Sequence, residues 1–352
     1  MTRRMLALGT ALTALALVAL GSPADAQDRQ RTVRIQMQSN FASTLALLGP
    51  NAQYTVEQVK KLSGGSIDMR FFEPGALVPP GQAFDSVSSG ALDAAWATPG
   101  FWTGKDIAFA VYATVPFGPG LGEFLAWMKH GGGEKGMQEL YAKYNIHSIM
   151  CHLIPPEASG WFRKEIKTLD DMKGLKMRFF GLGANVMQKL GVATQLLQAG
   201  EIFQALQLGT IDATEFSMPS MDLSLGFHQV AKFYYFPGWH QQATVGDLII
   251  NKAKWDSLSE HQKATIEAAC DQTTLRGMSL GESLQPKAMS EIESKGVKLM
   301  TWGPEFLSAF EKAWTEVAAE QVAKSPEFKK AWDSLSAFRK EYAIWRERGY
   351  LK

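Results

Sequence analysis

The stretch from Gly174 to Pro219, GLKMRFFGLGANVMQKLGVATQLLQAGEIFQALQLGTIDATEFSMP, constrains the fold more than any other part of the chain. Alternation over Leu175–Phe180 predicts a strand with Lys176, Arg178 and Phe180 on one side and Leu175, Met177 and Phe179 on the other. Gly181 and Gly183 end it, and a helical segment Asn185–Leu190 follows. A second helix is expected over Gly200–Leu208, apolar at Ile202, Phe203 and Leu206, with Gly209 just past its end. The strand Ile211–Phe216 closes the unit. Arg178 thus stands near the end of a strand, where the ligand crevices of α/β sheets open. It is the first candidate for gripping a ligand.

A cruder copy of the unit occurs earlier. MRFFEPGA at Met69–Ala76 matches MRFFGLGA at Met177–Ala184, and GQAFDSVSSGALDAA at Gly81–Ala95 parallels GEIFQALQLGTIDAT at Gly200–Thr214. The gap between the halves is longer in the second copy and leaves room for an extra helix. The expectation is an α/β protein of two similar lobes facing each other.

The first 26 residues read as a secretory leader: Arg3 and Arg4, an apolar run Leu6–Leu20, then Ala24-Asp25-Ala26. Thr2-Arg3-Arg4-Met5-Leu6 also resembles a twin-arginine signal, so the export route stays open. The chain carries 36 basic and 35 acidic residues, and dropping Arg3, Arg4 and Asp25 with the leader leaves the two signs equal. Without a basic excess there is no electrostatic footprint for nucleic acid. The 2 cysteines, Cys151 and Cys270, could form one disulfide in an oxidising compartment, but Cys270 lies in a helical pattern, EHQKATIEAAC, and the reading leans towards unpaired buried thiols.

In chain order, residues 27–150 are expected to form the first lobe. Strands are read at Thr32–Met37, Ile67–Phe72, Leu92–Ala97 and His147–His152, and helices at Pro50–Leu62, Gln82–Ser89 and Glu134–Tyr144. Phe41 follows the first strand, and Phe101 and Trp102 follow the third. These aromatics either wall a ligand pocket or pack beneath loops. The chain passes to a second lobe near Cys151–Phe162, so that 151–250 is mainly the second lobe. Phe233–Pro237 and Gly246–Asn251 give two more strands, the latter crossing back. Residues 251–352 read as helical, with a capping box at Ser257–Glu260 and one strand, Val297–Trp302. Phe328, Trp332, Leu335, Phe338, Tyr342 and Trp345 form a stripe that packs on its own core or on a second copy, a possible homodimer.

Catalytic signatures are missing: no HExxH, GxSxG, phosphate loop or CxxC. Gly181-Leu-Gly183 opens like a dinucleotide fingerprint, but Val186 holds the third glycine position. The stronger group is Arg178 with Glu215, Phe216, Trp161, Trp239 and Gln241. A guanidinium fork suits one carboxylate, and aromatics around it exclude water.

GLKMRFFGLGANVMQKLG, AGEIFQALQLGTIDATEF, VAKFYYFPGW, EASGWFRKEI and AFRKEY together resemble the DctP-type solute-binding proteins of the tripartite ATP-independent periplasmic (TRAP) transporters, nearest to the branch that binds α-keto acids. The resemblance implies a two-lobed periplasmic binding protein fold with crossing strands, a long connecting helix and a helical C-terminal segment. It implies that Arg178 takes the substrate carboxylate in the interlobe cleft, and that the protein delivers its ligand to membrane permease subunits. In that branch a metal cation bridges protein and substrate. Its donors are an acidic side chain at the position of Glu215, the adjacent backbone, a Gln before the PEASGW-like segment and a Glu after PGW. Here Leu153 is read at the Gln position, Gln241 replaces the Glu, and Phe216 replaces the usual Trp. The expectation is therefore cofactor-free binding of an α-keto acid, a 2-hydroxy acid or an apolar or aromatic carboxylate, with Glu215 a weak metal candidate. The alternative is an exported enzyme acting on a small carboxylate.

Overall fold

The computed structural model describes residues 32–351, so the leader expected at 1–26 lies outside the described residues. The chain opens with β1 (Val33–Ser39), α1 (Leu48–Leu62), β2 (Ile67–Phe72), α2 (Ala83–Ser89) and β3 (Ala94–Ala97). Helices α3 (Phe109–Ala113), α4 (Leu121–His130) and α5 (Gly133–Ala142) precede β4 (Ile146–Ile154), which runs through residues 155–159 into β5 (Gly160–Phe162). Then come β6 (Lys176–Arg178), α6 (Gly181–Lys189), β7 (Ala193–Gln195), α7 (Ala199–Leu208), β8 (Ala213–Thr214), α8 (Pro219–Ser224) and β9 (Phe233–Phe236). Residues 237–243 join β9 to β10 (Thr244–Asn251). The remainder is α9 (Lys252–Asp256), α10 (Glu260–Ser294), β11 (Lys298–Thr301), α11 (Pro304–Lys324) and α12 (Pro326–Arg348).

The strands form a five-stranded sheet in the order β2-β1-β3-β10-β4 and a six-stranded sheet in the order β11-β9-β5-β8-β6-β7. In the first, β1 runs parallel to β2 and β3, and β10 antiparallel to β3 and β4. In the second, β6 runs parallel to β7 and β8, and β5 antiparallel to β8 and β9. Setting β11 aside, the two sheets have one topology. The segments β4–β5 and β9–β10 each begin in one sheet and end in the other, which joins the lobes by two crossings.

This topology explains half of the sequence repeat and corrects the other half. The α2–β3 and α7–β8 units occupy equivalent places, and Gly90 and Gly209 end the two helices at φ 82° and 74°, a conformation that favours glycine. The repeated Asp has one job in both lobes. Asp93 accepts the Gln36 N–H at 2.9 Å, and Asp212 accepts the Lys176 N–H at 3.0 Å. The MRFF match does not mark equivalent strands. β2 lies at a sheet edge and corresponds to β7, while the counterpart of β6 is β1. The longer gap in the second copy holds α6 and β7.

Several boundaries move for physical reasons. The strands around Arg178 and Glu215 are shorter than expected because residues 179–180 and 215–218 turn out of the sheet into the cleft. Helix α4 grows out of the Gly- and Pro-rich run after Gly120, outside the helices expected from the sequence. The capping box of α10 is Ser259 with Gln262, two residues beyond the expected start. The cysteines are paired rather than free. Helix α10 lies against β4 with the Cα atoms of Cys151 and Cys270 4.1 Å apart, and a disulfide joins them across a sequence separation of 119. A helical pattern fixes the turn on which Cys270 sits but not what that face meets.

Helix α10 packs on β4 and α1 beside the first sheet and on α8 beside the second. On α12, Phe328, Ala331 and Leu335 are buried in the chain's own core, while Ile344 and Trp345 near its end are exposed. Among the described residues no helix is long and apolar enough to cross a membrane.

Candidate functional site

The parallel strands of both sheets direct their carboxyl ends at a cleft between the lobes, and the crossings run along its base. Arg178 is the last residue of β6 and is 2% exposed. Its Nη1 donates to Glu215 Oε1 at 2.7 Å and to the Glu215 carbonyl at 2.8 Å, and its Nε donates to the Leu197 carbonyl at 3.3 Å. Phe216 lies under the guanidinium with its ring centre 5.3 Å from Cζ. These contacts fix the plane of the fork; among the described residues Nη2 has no hydrogen-bond partner.

A cavity of about 30 Å³ adjoins Arg178. The first lobe and its α1 supply Phe41, Leu48, Thr98 and Phe101, the second lobe supplies Phe180, Phe216 and Ser217, and the crossing strands supply Ile154, Glu157, Gln241 and Thr244. Phe180 reaches from the second lobe to Gly100 and Phe101 of the first. Its ring meets that of Phe101 edge-on at 5.3 Å, and a Cβ on Gly100 would lie 2.2 Å from Phe180 Cζ. The bare backbone of Gly100 is the seat for that ring. A larger hollow of about 1200 Å³ lies at the outer edge of the first sheet, where three basic residues, Arg34, Lys60 and Lys254, accompany one acidic residue, Asp68. Charge and enclosure coincide at Arg178 instead.

Five of the residues singled out from sequence, Arg178, Phe216, Gln241, Phe101 and Phe41, line one cavity. Glu215 is fully buried directly behind it. Three tryptophans are elsewhere. Trp161 stacks on Tyr234 at 4.0 Å and donates to Asp222 at 2.9 Å, one layer behind the cleft. Trp239 packs between Phe117 and Phe310 in the apolar core, and Trp102 packs on Phe84. Aromatic residues next to turn glycines serve a core as readily as a pocket, so their type alone does not separate the two roles.

Leu153 also proves to be in the core: it pairs with Val245 inside the first sheet and is completely buried. The crossing residue that faces Gln241 is Glu157, which sequence reasoning passed over. Glu157 Oε1 accepts from Gln241 Nε2 at 3.1 Å and from Ser217 Oγ at 3.2 Å. Burial, with Glu215 and Asp222 adding repulsion, pushes its carboxyl well above the usual carboxylate range. The available signal was an acidic residue in a short Pro-, Ala- and Gly-rich connection between two strands. His240, equally missed, is 1% exposed with its Nε2 3.7 Å from Glu215 Oε2.

The donors are arranged alike. Glu215 uses Oε1 for Arg178 and the Phe180 N–H, and Glu157 uses Oε1 for Gln241 and Ser217. Gln241 spends its Nε2 on Glu157 and Thr244. In each case the other oxygen, Oε2 of both carboxylates and Oε1 of Gln241, is buried without a hydrogen-bond partner. Buried unpartnered oxygens are costly unless a ligand satisfies them. Two carboxylates and an amide oxygen fit a cation. The premise of the cation-free expectation, too few anionic donors, does not hold once Glu157 takes the place assigned to Leu153.

Two lobes of one topology, joined by crossings and closed over a small apolar cavity with a buried arginine, define a binding protein that folds around a solute. The chain belongs to the bacterial extracellular solute-binding proteins, family 7 (DctP), whose pattern matches residues 39–325. The monocarboxylate 2-oxoacid-binding periplasmic protein of Nostoc sp. is 32% identical over 339 residues, covering 96% of this chain and 93% of that one. A TRAP transporter solute-binding protein from Bordetella bronchiseptica, a mixed-occupancy dimer with copurified calcium and picolinate in its active site, is 33% identical with a TM-score of 0.87, covering 90% and 94% of the two chains. A TRAP periplasmic solute-binding protein from Pseudoalteromonas atlantica with bound sodium and pyruvate is 30% identical with a TM-score of 0.86, covering 90% and 96%.

Proposed function

We propose that this protein is a periplasmic receptor, not an enzyme, that captures a small monocarboxylate between its lobes and delivers it to a TRAP membrane permease. The observation that carries the reading is the buried Arg178 fork at the edge of an apolar cavity, fixed by protein acceptors at Nε and Nη1. The relatives that bind 2-oxo acids, pyruvate and picolinate support it. A 2-oxo acid or a compact apolar or aromatic carboxylate matches one fixed cation facing Phe41, Phe101, Phe180 and Phe216.

Arg178 holds the ligand carboxylate through charge-assisted hydrogen bonds, which strengthen where water is excluded. The phenylalanines cover the organic body, and the Phe180–Gly100 contact closes the lobes over it. Glu157, Glu215 and Gln241 would hold a cation when one is bound, adding positive charge beside the ligand carboxylate. The leader, and a homodimer through the exposed end of α12, belong to this same reading.

The test is calorimetric titration with pyruvate, 2-oxobutyrate, 4-methyl-2-oxovalerate, lactate, picolinate, benzoate and succinate. Saturable one-to-one binding of monocarboxylates, with the ligand recovered unchanged, is expected. Binding of succinate alone, or turnover of any acid, would refute the reading.

A further inference from the structure

We propose that His240 is a metal ligand, and that with Glu157, Glu215 and Gln241 it forms a mixed nitrogen–oxygen site selecting a divalent transition-metal ion, zinc or cobalt in character, over sodium or calcium. This rests on the reading of the interlobe cleft as the binding site. It goes further by assigning an imidazole to the donor set and naming the class of ion.

Three observations meet here. Donor atoms of Glu157, Glu215 and His240 lie within 4.8 Å of one another, and all three side chains are buried. The outer oxygen of each carboxylate, the Gln241 amide oxygen and both ring nitrogens of His240 have no hydrogen-bond partner. Finally, the carboxylates and the amide are oriented through their other atoms by Arg178, the Phe180 N–H, Ser217 and Thr244. Outer partners of this kind orient the ligands of metal sites. Phe179 meets the imidazole edge-on at 4.9 Å and holds the ring beside Glu215 without using either nitrogen.

The nitrogen decides the class of ion. Sodium and calcium are hard ions; calcium takes six to eight oxygens and magnesium retains water. Imidazole with carboxylates suits zinc, cobalt or nickel, which accept fewer donors. Three oxygens and one nitrogen from the protein leave room for a carboxylate oxygen of the ligand. An acid with a second donor atom beside its carboxylate would chelate the ion while its carboxylate also meets Arg178.

The experiment uses the mature protein after exhaustive chelation, with no organic acid present. Zinc, cobalt, calcium and sodium are each titrated alone by calorimetry, and cobalt is also followed by visible absorption. One equivalent of zinc or cobalt is expected to bind at least tenfold more tightly than calcium. His240→Phe, which keeps a ring against Phe179, is expected to lose at least tenfold in zinc and cobalt affinity, change calcium affinity less than threefold, and alter the cobalt spectrum. Glu157→Gln is expected to weaken all divalent ions. Calcium or sodium binding more tightly than zinc in the wild type overturns the proposal without recourse to any variant, as does a His240→Phe protein with unchanged zinc affinity. Because no acid is present, failure here is separable from failure of the carboxylate panel, and each can occur alone.

Discussion

The first sheet and the second share one strand order, yet the same topological position carries opposite chemistry in each. Arg178 pairs with Thr214 in the second sheet, and the equivalent place beside Ala95 in the first is held by Gln38. Gln38 is fully buried and turned inward. It donates to the Val78 carbonyl at 2.8 Å and accepts from the Leu77 and Val78 N–H groups at 2.7 and 2.9 Å. It therefore satisfies the backbone of its own Pro-rich loop. One step along β8 stands Glu215, where β3 has Trp96, and next Phe216, where β3 has Ala97. The first lobe thus contributes wall and the second contributes charge. A duplicated topology supplies two strand ends at one cleft, but only one of them needs to hold the ligand's charge.

The largest test of that contrast pairs Arg178→Ala with Gln38→Ala. Loss of Arg178 is expected to weaken carboxylate binding by about 2–5 kcal/mol, the range for truncating one partner of a buried charge pair. Gln38→Ala is expected to leave affinity within about threefold, near 0.6 kcal/mol, and instead to lower the melting temperature. Its lost hydrogen bonds are worth about 1 kcal/mol each. Equal losses of affinity in calorimetry would erase the distinction between wall and charge.

A second test uses a buried carboxyl in each lobe. Asp247 on β10 accepts from Tyr141 and Ser148, and Asp222 in the first turn of α8 accepts from Trp161 and Tyr234; burial pushes each up to about 7. A carboxyl with a higher pKa in the folded chain than in the unfolded one, about 3.9, binds its proton more tightly when folded. Protonation then favours folding, a contribution complete below about pH 4 and lost as pH rises through about 7. Urea denaturation from pH 4 to 8 should show Asp247→Asn and Asp222→Asn each gaining on the wild type as pH rises. A gain in only one variant would mean that the two lobes do not bury their acids alike.

The smallest effect is expected from the repeated Asp. Asp93→Ala and Asp212→Ala each remove one backbone N–H acceptor, worth about 1 kcal/mol. Asp93 also meets Lys254 at 3.0 Å, so its variant should cost slightly more at low salt, with the difference fading in 1 M salt. A persistent gap would show that the symmetry ends at the backbone.

These contrasts also explain what could be read from the chain alone. Arg178 was legible because a strand with a two-residue period placed it near a strand end bounded by Gly181, and the helix–Gly–Asp–strand repeat was legible because both lobes need the same turn and the same acceptor. Glu157 and His240 lie on crossings without periodicity, so nothing set their register, and the vacancy assigned to Leu153 was one of spacing rather than of chemistry. The disulfide was missed because pairing depends on which helix meets which strand. MRFF misled because edge and central strands can share four letters.

The two crossings touch where the polar donors sit. The Glu157 N–H donates to the Gln241 carbonyl at 3.1 Å, the Gln241 amide returns a bond to Glu157 Oε1, and a Cβ on Gly238 would lie 2.1 Å from the Glu157 carbonyl oxygen. Only glycine permits that approach. A strap of this kind between the two connections would serve as a fulcrum if the lobes turn against each other to admit a ligand. Under rotation each atom travels in proportion to its distance from the axis, so donors at the fulcrum keep their spacing while Phe41, Phe101 and Phe180 sweep the longer arcs. Such a jaw would open at its apolar edge, and Glu157 and Gln241 on the crossings would keep their spacing.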